Sequence, residues 1–275
     1  MRLLVFLPFA KGKTGLEVLE KRADILRETC TRDFHRTPRP RSFTGNHNAI
    51  VRFEESGLRI CVPWKCASQY VKHIHDVVIS DSEDNRRFVG DTQEKKNSTV
   101  LIARHPFVRL ISSWNDKLLR ENVLQSGPMM RHFNIDRFVT SDHETHLISF
   151  EDFLNYMVYA IEHDEPINRH FQPQHNMCDP CSSDFNTVLK VEHLKDEMVV
   201  LFRSHDLHVK ELEETFHEQT GGFGAAEKDK LIEKVRSTLR PIPKETLWKI
   251  YDYYKNDFDI LNYSFDMDML TIGGF

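Results

Sequence analysis

Lys65 sits in the stretch Trp64-Lys-Cys-Ala-Ser-Gln-Tyr70, between a short apolar run and a helical pattern. A loop in that place aims backbone N–H groups and the positive end of a helix at an anion. The small residues Ala67 and Ser68 let a phosphate approach closely, and Lys65 adds a mobile positive charge. A solvated helix cap carries the same residue types, so the loop alone does not decide between the two readings.

Arg104 gives a second signal, since it closes the apolar run Ser98-Thr-Val-Leu-Ile-Ala103 and is followed eight residues later by Ser112. A guanidinium grips phosphate through two parallel N–H donors, and a hydroxyl adds a further hydrogen bond. Taken singly, Arg104 reads equally well as half of a surface ion pair. Two anion grips on neighbouring strand ends point to a ligand with two phosphate groups.

The elements that must position these residues are legible around them. Leu58-Arg-Ile-Cys-Val-Pro63 reads as a strand, and Val71, Ile74, Val77 and Val78 place a helix after the Lys65 loop. Ser98–Ala103 is a β-branched run suited to a buried strand; past Pro106, residues Phe107, Leu110, Ile111, Trp114 and Leu118 recur at helical intervals. Asn186-Thr-Val-Leu-Lys-Val191 reads as a third strand. This alternation predicts an α/β fold with a central parallel sheet flanked by helices.

Further helices are expected over 16–30, over 150–161 with Ser149 as its cap, and in the C-terminal third over 207–217, 225–239 and 244–257. Thr37-Pro-Arg-Pro-Arg-Ser42 reads as a linker, which divides the chain into an N-terminal extension and linker, 1–45, and one domain, 46–275. The first ten residues form an apolar run that reads as a buried strand or as a cropped signal segment. It is too short for a membrane span, which takes roughly 20 apolar residues.

At 275 residues with 40% hydrophobic content, the chain has enough apolar side chains to build a sizeable core. Its formal net charge of -5 argues against a protein that coats nucleic acid or an acidic membrane by bulk charge. An anionic ligand must therefore be held by a local site.

Lys65-Cys-Ala-Ser-Gln-Tyr70 resembles the Lys-Ser-Gly-Thr-Thr-Trp loop of sulfotransferases that use 3′-phosphoadenosine 5′-phosphosulfate (PAPS). Arg104-His-Pro-Phe-Val-Arg-Leu-Ile-Ser112 resembles the Arg-Asp-Pro-Phe-Glu-Arg-Leu-Val-Ser stretch of the carbohydrate sulfotransferases that include the chondroitin and dermatan 4-O-sulfotransferases. His170-Phe-Gln-Pro-Gln174, Cys178-Asp-Pro-Cys181 and Leu189-Lys-Val-Glu192 are similar to that family's His-Trp-x-Pro-Gln, Cys-x-Pro-Cys and Gly-Lys-x-Glu elements, in the same order. Trp64 and Gln69 depart from the family loop.

The resemblance implies a P-loop-like nucleotide-binding sulfotransferase fold, PAPS as sulfuryl donor, a glycan hydroxyl as acceptor and no metal. Lys65 would be catalytic, and Lys65, Cys66, Ala67, Ser68, Gln69 and Tyr70 would cradle the 5′-phosphosulfate. Arg104 and Ser112, with Arg109, would hold the 3′-phosphate. His170 is the candidate general base, since imidazole titrates near working pH, with Glu192, His73 and His75 as rivals. By the same resemblance the protein is expected in the Golgi lumen or at the Golgi membrane, although no anchor is seen in the chain.

Five cysteines leave at least one thiol unpaired within a monomer. Cys178 and Cys181 read as a short-loop disulfide in an oxidising lumen, as free thiols in a reducing one, or as half of a zinc site that lacks a second cysteine pair. Cys30 and Cys61 find no assignment, and Cys66 stands as a candidate reactive thiol. Asn97-Ser-Thr99 and Asn262-Tyr-Ser264 are glycosylation sequons if the protein is secretory. Two alternatives stand beside the transferase. One is a binding protein that keeps the fold without turnover. The other is a nucleotide kinase suggested by Gly12-Lys-Thr14, although Leu7 stands where the phosphate loop needs its first glycine.

Overall fold

Strand β3 (Ser98–Ala103) lies between β2 (Leu58–Cys61) and β4 (Thr187–Lys190), as suits a run whose last four residues are apolar; Val100, Leu101, Ile102 and Ala103 are all buried. A strand covered on both faces is what parallel pairing between helices requires. It pairs in parallel with β2 on one side and with β4 on the other. The strand runs at 58–63, 98–103 and 186–191 thus form the expected parallel sheet. One further strand, β1 (Ile50–Phe53), pairs antiparallel with β2 at the edge, so the sheet is mixed, in the order β1-β2-β3-β4. Ile50 and Arg52 are exposed and only Phe53 is buried, so no compact apolar run marks β1; the neighbouring β2 edge provides the pairing.

The structure, a computed structural model, describes residues 15–32, 49–54, 56–85, 97–119, 130–138, 148–207 and 225–274. The apolar run 1–10, the Gly12-Lys-Thr14 segment, the 37–42 stretch and all but the first residue of the helix expected over 207–217 lie outside the described residues. The helices are α1 (Gly15–Arg32), α2 (Ser68–Asn85), α3 (Pro106–Trp114), α4 (Phe150–Glu162), α5 (Leu194–Arg203), α6 (Ala225–Leu239), α7 (Lys244–Tyr253) and α8 (Lys255–Ile260). A hairpin of β5 (Ser264–Asp266) and β6 (Thr271–Gly273) follows. Ser149 caps α4 as expected, its hydroxyl accepting from Asp152 N at 3.0 Å.

Helices cover both faces of the sheet. Val71 and Ile74 of α2 and Leu201 and Phe202 of α5 pack with Ile60, Ile102 and Leu189 in one core. Leu101, Ala103 and Val188 face the other core, with Phe107 of α3, Phe153 of α4 and Ile250 of α7. Helix α1 falls within the stretch read as an extension, yet it buries Leu19, Ala23 and Leu26 and packs against β4. Arg22 adds an ion pair to buried Glu197 at 2.7 Å, and Arg27 donates to Phe185 O at 2.7 Å. This part of 1–45 is therefore built into the domain.

The short-loop pairing of Cys178 with Cys181 is not what forms. Cys61 bridges to Cys178 and Cys30 to Cys181. Asp179, in the left-handed conformation at φ 44, turns the chain between the two cysteines, sending one thiol toward the end of β2 and the other toward α1. Cys30 and Cys61 thereby gain partners 151 and 117 residues away in sequence, beyond the reach of local spacing.

Candidate active site

The parallel strands β2, β3 and β4 end on the same edge of the sheet, and the three segments that leave them build the site. After β2 the chain makes a tight turn in which Cys66 N donates to Pro63 O at 3.0 Å. Lys65 at φ 69 and Ala67 at φ 63 both adopt the left-handed conformation. For a residue with a side chain this costs about 1–2 kcal/mol, so the surroundings must hold the loop. They do so through Arg104, whose Nη1 donates to Lys65 O at 2.9 Å, and Arg109, whose Nε donates to Trp64 O at 2.8 Å. Helix α2 begins immediately afterwards at Ser68, so first-turn N–H groups without intrahelical partners lie at the loop.

After β3 comes Arg104, and α3 then carries Ser112. Lys65, Arg104, Ser112 and Asp116 line one cavity of about 270 Å³. Its far wall is α6, through Leu231, Lys234 and Val235. Arg104 Nε is shielded from solvent and has no hydrogen-bond partner among the described residues. Burial pushes the guanidinium down from its ordinary value, with Glu192 opposing. A shielded guanidinium donor beside an open cavity suits an anionic ligand, so the residues present fit a phosphate group.

Asp116 lies in a π-helical turn, Asn115–Leu119, that continues α3. Its Oδ2 is 3.2 Å from Lys65 Nζ and 2.9 Å from Lys117 Nζ. Burial alone would raise its carboxyl, but Lys117 and Lys65 together hold it below the usual carboxylate value. Burial pushes the Lys65 ammonium down, and Asp116 opposes that shift.

The remaining candidates divide. Ala67 and Ser68 stay on the loop and Gln69 is exposed on the first turn of α2, but the side chains of Cys66 and Tyr70 turn into the core. Burial pushes the Cys66 thiol up to about 12, and it donates to Gln174 Oε1 at 3.1 Å; a neutral buried thiol is not the reactive group expected. Neither Cys66 nor Tyr70 lines the cavity, and the Cys66 N–H is already given to Pro63 O. Arg109 is likewise corrected: it is fully buried, and its guanidinium donates to Trp64 O and, at 2.7 Å, to Gln172 O. It braces two loops and does not line the cavity.

His170 is half-buried with its ring edge against Trp64, centroids 4.9 Å apart. Burial, then the cations Lys117, Arg169, Arg109 and Lys65, push its imidazole down to about 3, so it is neutral at working pH but a weaker base than the near-neutral titration expected of it. Asn168 Oδ1 accepts from both His170 N at 3.0 Å and His170 Nδ1 at 2.7 Å. Nδ1 therefore carries the hydrogen, and Nε2 keeps a lone pair able to take a proton. The rivals are placed elsewhere. Buried Glu192 accepts from His105 N at 2.9 Å and Tyr263 Oη at 2.8 Å, and His75 Nε2 lies 2.9 Å from Arg52 O, over β1. Neither these rivals, His73 included, nor His170 itself lines the cavity; His170 lies beside it, near enough for Lys65 to act on its titration.

Residues 40–264 match the model described as the sulfotransferase family. The chain belongs to the sulfotransferase family. Within it, carbohydrate sulfotransferase 12 of Mus musculus is 32% identical over 119 residues, which is 40% of this chain and 28% of the relative. Carbohydrate sulfotransferase 12 of Xenopus laevis is 29% identical over 123 residues, 41% of this chain and 29% of the relative. Carbohydrate sulfotransferase 11 of Rattus norvegicus is 23% identical over 176 residues, 62% of this chain and 48% of the relative. The matched stretches thus cover less than half of those relatives' own length. No match to a solved structure was found.

Several residues of this sulfotransferase site carried no role in the sequence reading. Gln174 clamps Arg104 and Cys66 together, although it stood in a stretch already noted for its family likeness. Asp116 follows Ser112 by four residues and so shares its helical face, a signal present in the spacing. For Lys234 and its neighbours on α6, no local pattern points to the cavity. Among the described residues no group of three or more His, Cys, Asp or Glu side chains is placed to hold a metal ion.

Proposed function

We propose that the protein transfers a sulfuryl group from PAPS to a hydroxyl of a glycan, with the donor bound in the cavity at the strand ends. The observation that carries this is the convergence of Lys65, Arg104 and Ser112 on one cavity, where the buried Arg104 Nε has no acceptor among the described residues. PAPS would supply the sulfuryl group and a phosphate leaving group. The loop N–H groups and Lys65 hold the 5′-phosphosulfate end, and Arg104 and Ser112 hold the 3′-phosphate. Catalysis is then mostly in-line positioning and stabilisation of charge on the leaving oxygen, which falls to the Lys65 ammonium.

The acceptor oxygen forms its bond to sulfur as the bond from sulfur to the phosphate oxygen breaks. Its proton goes to a base, and His170 is the candidate, neutral with its Nε2 lone pair available. The family likeness and the names of the relatives support a sugar acceptor.

Two long-range disulfides support an oxidising compartment, in keeping with a Golgi location. Asn97 is exposed at the start of β3 in a sequon, so a glycan on Asn97 in protein from a secretory host would agree with that location. Among the described residues no helix is long and apolar enough to cross a membrane. Residues 46–275 are assigned to the sulfotransferase domain, with α1 clasped to it.

The test is calorimetric titration with 3′-phosphoadenosine 5′-phosphate, followed by transfer of labelled sulfate from PAPS to a panel of glycans. Binding that weakens at least about tenfold in Lys65→Ala and Arg104→Ala, with turnover lost in His170→Ala, is expected. No nucleotide binding by the folded protein would overturn the donor site. Binding without transfer to any acceptor would favour the non-catalytic reading that Trp64 and Gln69 raise.

A further inference from the structure

A carboxylate in the wall of an anion-binding cavity needs a reason, and Asp116 is such a group. It contacts the two ammonium groups of Lys65 and Lys117 with one oxygen, at 3.2 and 2.9 Å. We propose that Asp116 is a positioning residue that holds the Lys65 side chain in place in the cavity before a donor binds. The inference rests on the reading of that cavity as the donor site.

The geometry favours positioning over a chance surface pair. The Lys65 side chain is only 21% exposed, so few other orientations keep its ammonium solvated. A lysine stem carries about 2 kcal/mol of rotamer entropy, and anchoring it beforehand removes part of that cost from the donor's binding. Among the described residues the groups around Lys65 are otherwise cationic or neutral: Arg104 from the end of β3, Lys117 beside Asp116, Lys234 from α6 and the neutral imidazole of His170. In that setting burial favours loss of the ammonium proton, and Asp116 is the charge that opposes it. Lys117 shares the same carboxylate, so the cavity keeps an excess of positive charge for an anionic donor.

Competitive acetylation of Lys65, read by mass spectrometry across a pH series without ligand, tests this in the intact protein. Asp116→Asn is expected to move the Lys65 titration about one pH unit lower, and Asp116→Glu to return it toward wild type. Lys117→Ala removes a competing cation from the carboxylate and a neighbouring positive charge from Lys65, so it is expected to move the titration higher. Opposite directions in the two variants are not what a general loosening of the fold would produce. With PAPS and an acceptor, Asp116→Asn is expected to lower kcat on the order of tenfold, with the alkaline limb of kcat/KM displaced to lower pH. An unchanged Lys65 titration in folded Asp116→Asn overturns the proposal. Failure of the wild type to bind nucleotide would overturn the donor reading instead, and the labelling experiment needs no donor.

Discussion

The side chain of Gln174 holds both ends of the Arg104 backbone. Its Oε1 accepts from Arg104 N at 2.9 Å, and its Nε2 donates to Arg104 O at 2.7 Å. The same Oε1 accepts from Cys66 Sγ in the neighbouring loop. Gln174 is itself anchored by buried Asp257, whose carboxylate accepts from Gln174 N at 2.6 Å and His175 N at 2.9 Å. One amide thus sets the spacing between the Lys65 loop and the start of α3, which is the spacing between the two anion grips.

Gln174→Ala should therefore damage binding and stability together. Leaving buried donors and acceptors without partners costs about 1–3 kcal/mol, readable as a lower urea midpoint. Nucleotide affinity is expected to fall on the order of tenfold, since Arg104 loses its fixed position. Unchanged affinity would show that Arg109 and Arg104 hold the loop without it.

The two disulfides should matter for stability more than for local geometry. Each closes a loop of more than a hundred residues, with separations of 151 and 117. Chain-entropy arguments assign about 2–5 kcal/mol to a bridge of that kind. Paired Cys30→Ser and Cys181→Ser substitutions are expected to lower the denaturation midpoint and release α1. The Cys61–Cys178 bridge sits just before the Lys65 loop, so its removal is expected to weaken nucleotide binding as well. Peptide mapping that finds Cys178 joined to Cys181 would contradict both expectations.

Lys190 should make stability rise with pH. At the end of β4 it is buried, its ammonium donates to Asn262 O at 2.9 Å and to Gly274 O, and it lies 4.0 Å from the Tyr263 ring centroid. Burial, with Arg22 adding to it, pushes its amine from 10.5 down to about 7. Because the folded-state value is depressed, the unfolded chain binds more protons between about 7 and 10.5, and stability increases across that window. Urea midpoints from pH 7 to pH 9.5, compared with Lys190→Met, which cannot titrate there, should show wild type gaining on the variant. Parallel profiles would mean that Lys190 keeps its ordinary value.

Much of the scaffold was legible because it is written locally. The three parallel strands are compact apolar runs, and Ser149 announces its helix by side-chain chemistry alone. Lys65 and Arg104 were readable for the same reason: each stands at the point where a strand gives way to a helix, such points gather on one edge of a parallel sheet, and Ser112 follows in the helix after Arg104. Strand β1 was missed because only Phe53 of its four residues is buried, so no apolar run marks it and its pairing comes from β2.

Tertiary structure alone decided the rest, through contacts between residues distant in sequence. Both Arg104 and Arg109 brace the Lys65 loop through carbonyls, and what separates these two, five residues apart on one motif, is that Arg104 also lines the cavity while Arg109 is fully buried. The same holds for the cysteines, whose partners lie more than a hundred residues away, and for Lys234, brought to the cavity by the packing of α6. Residue types and local periodicity determined which groups were available for chemistry; the pairing and burial of those groups determined which of them face the cavity.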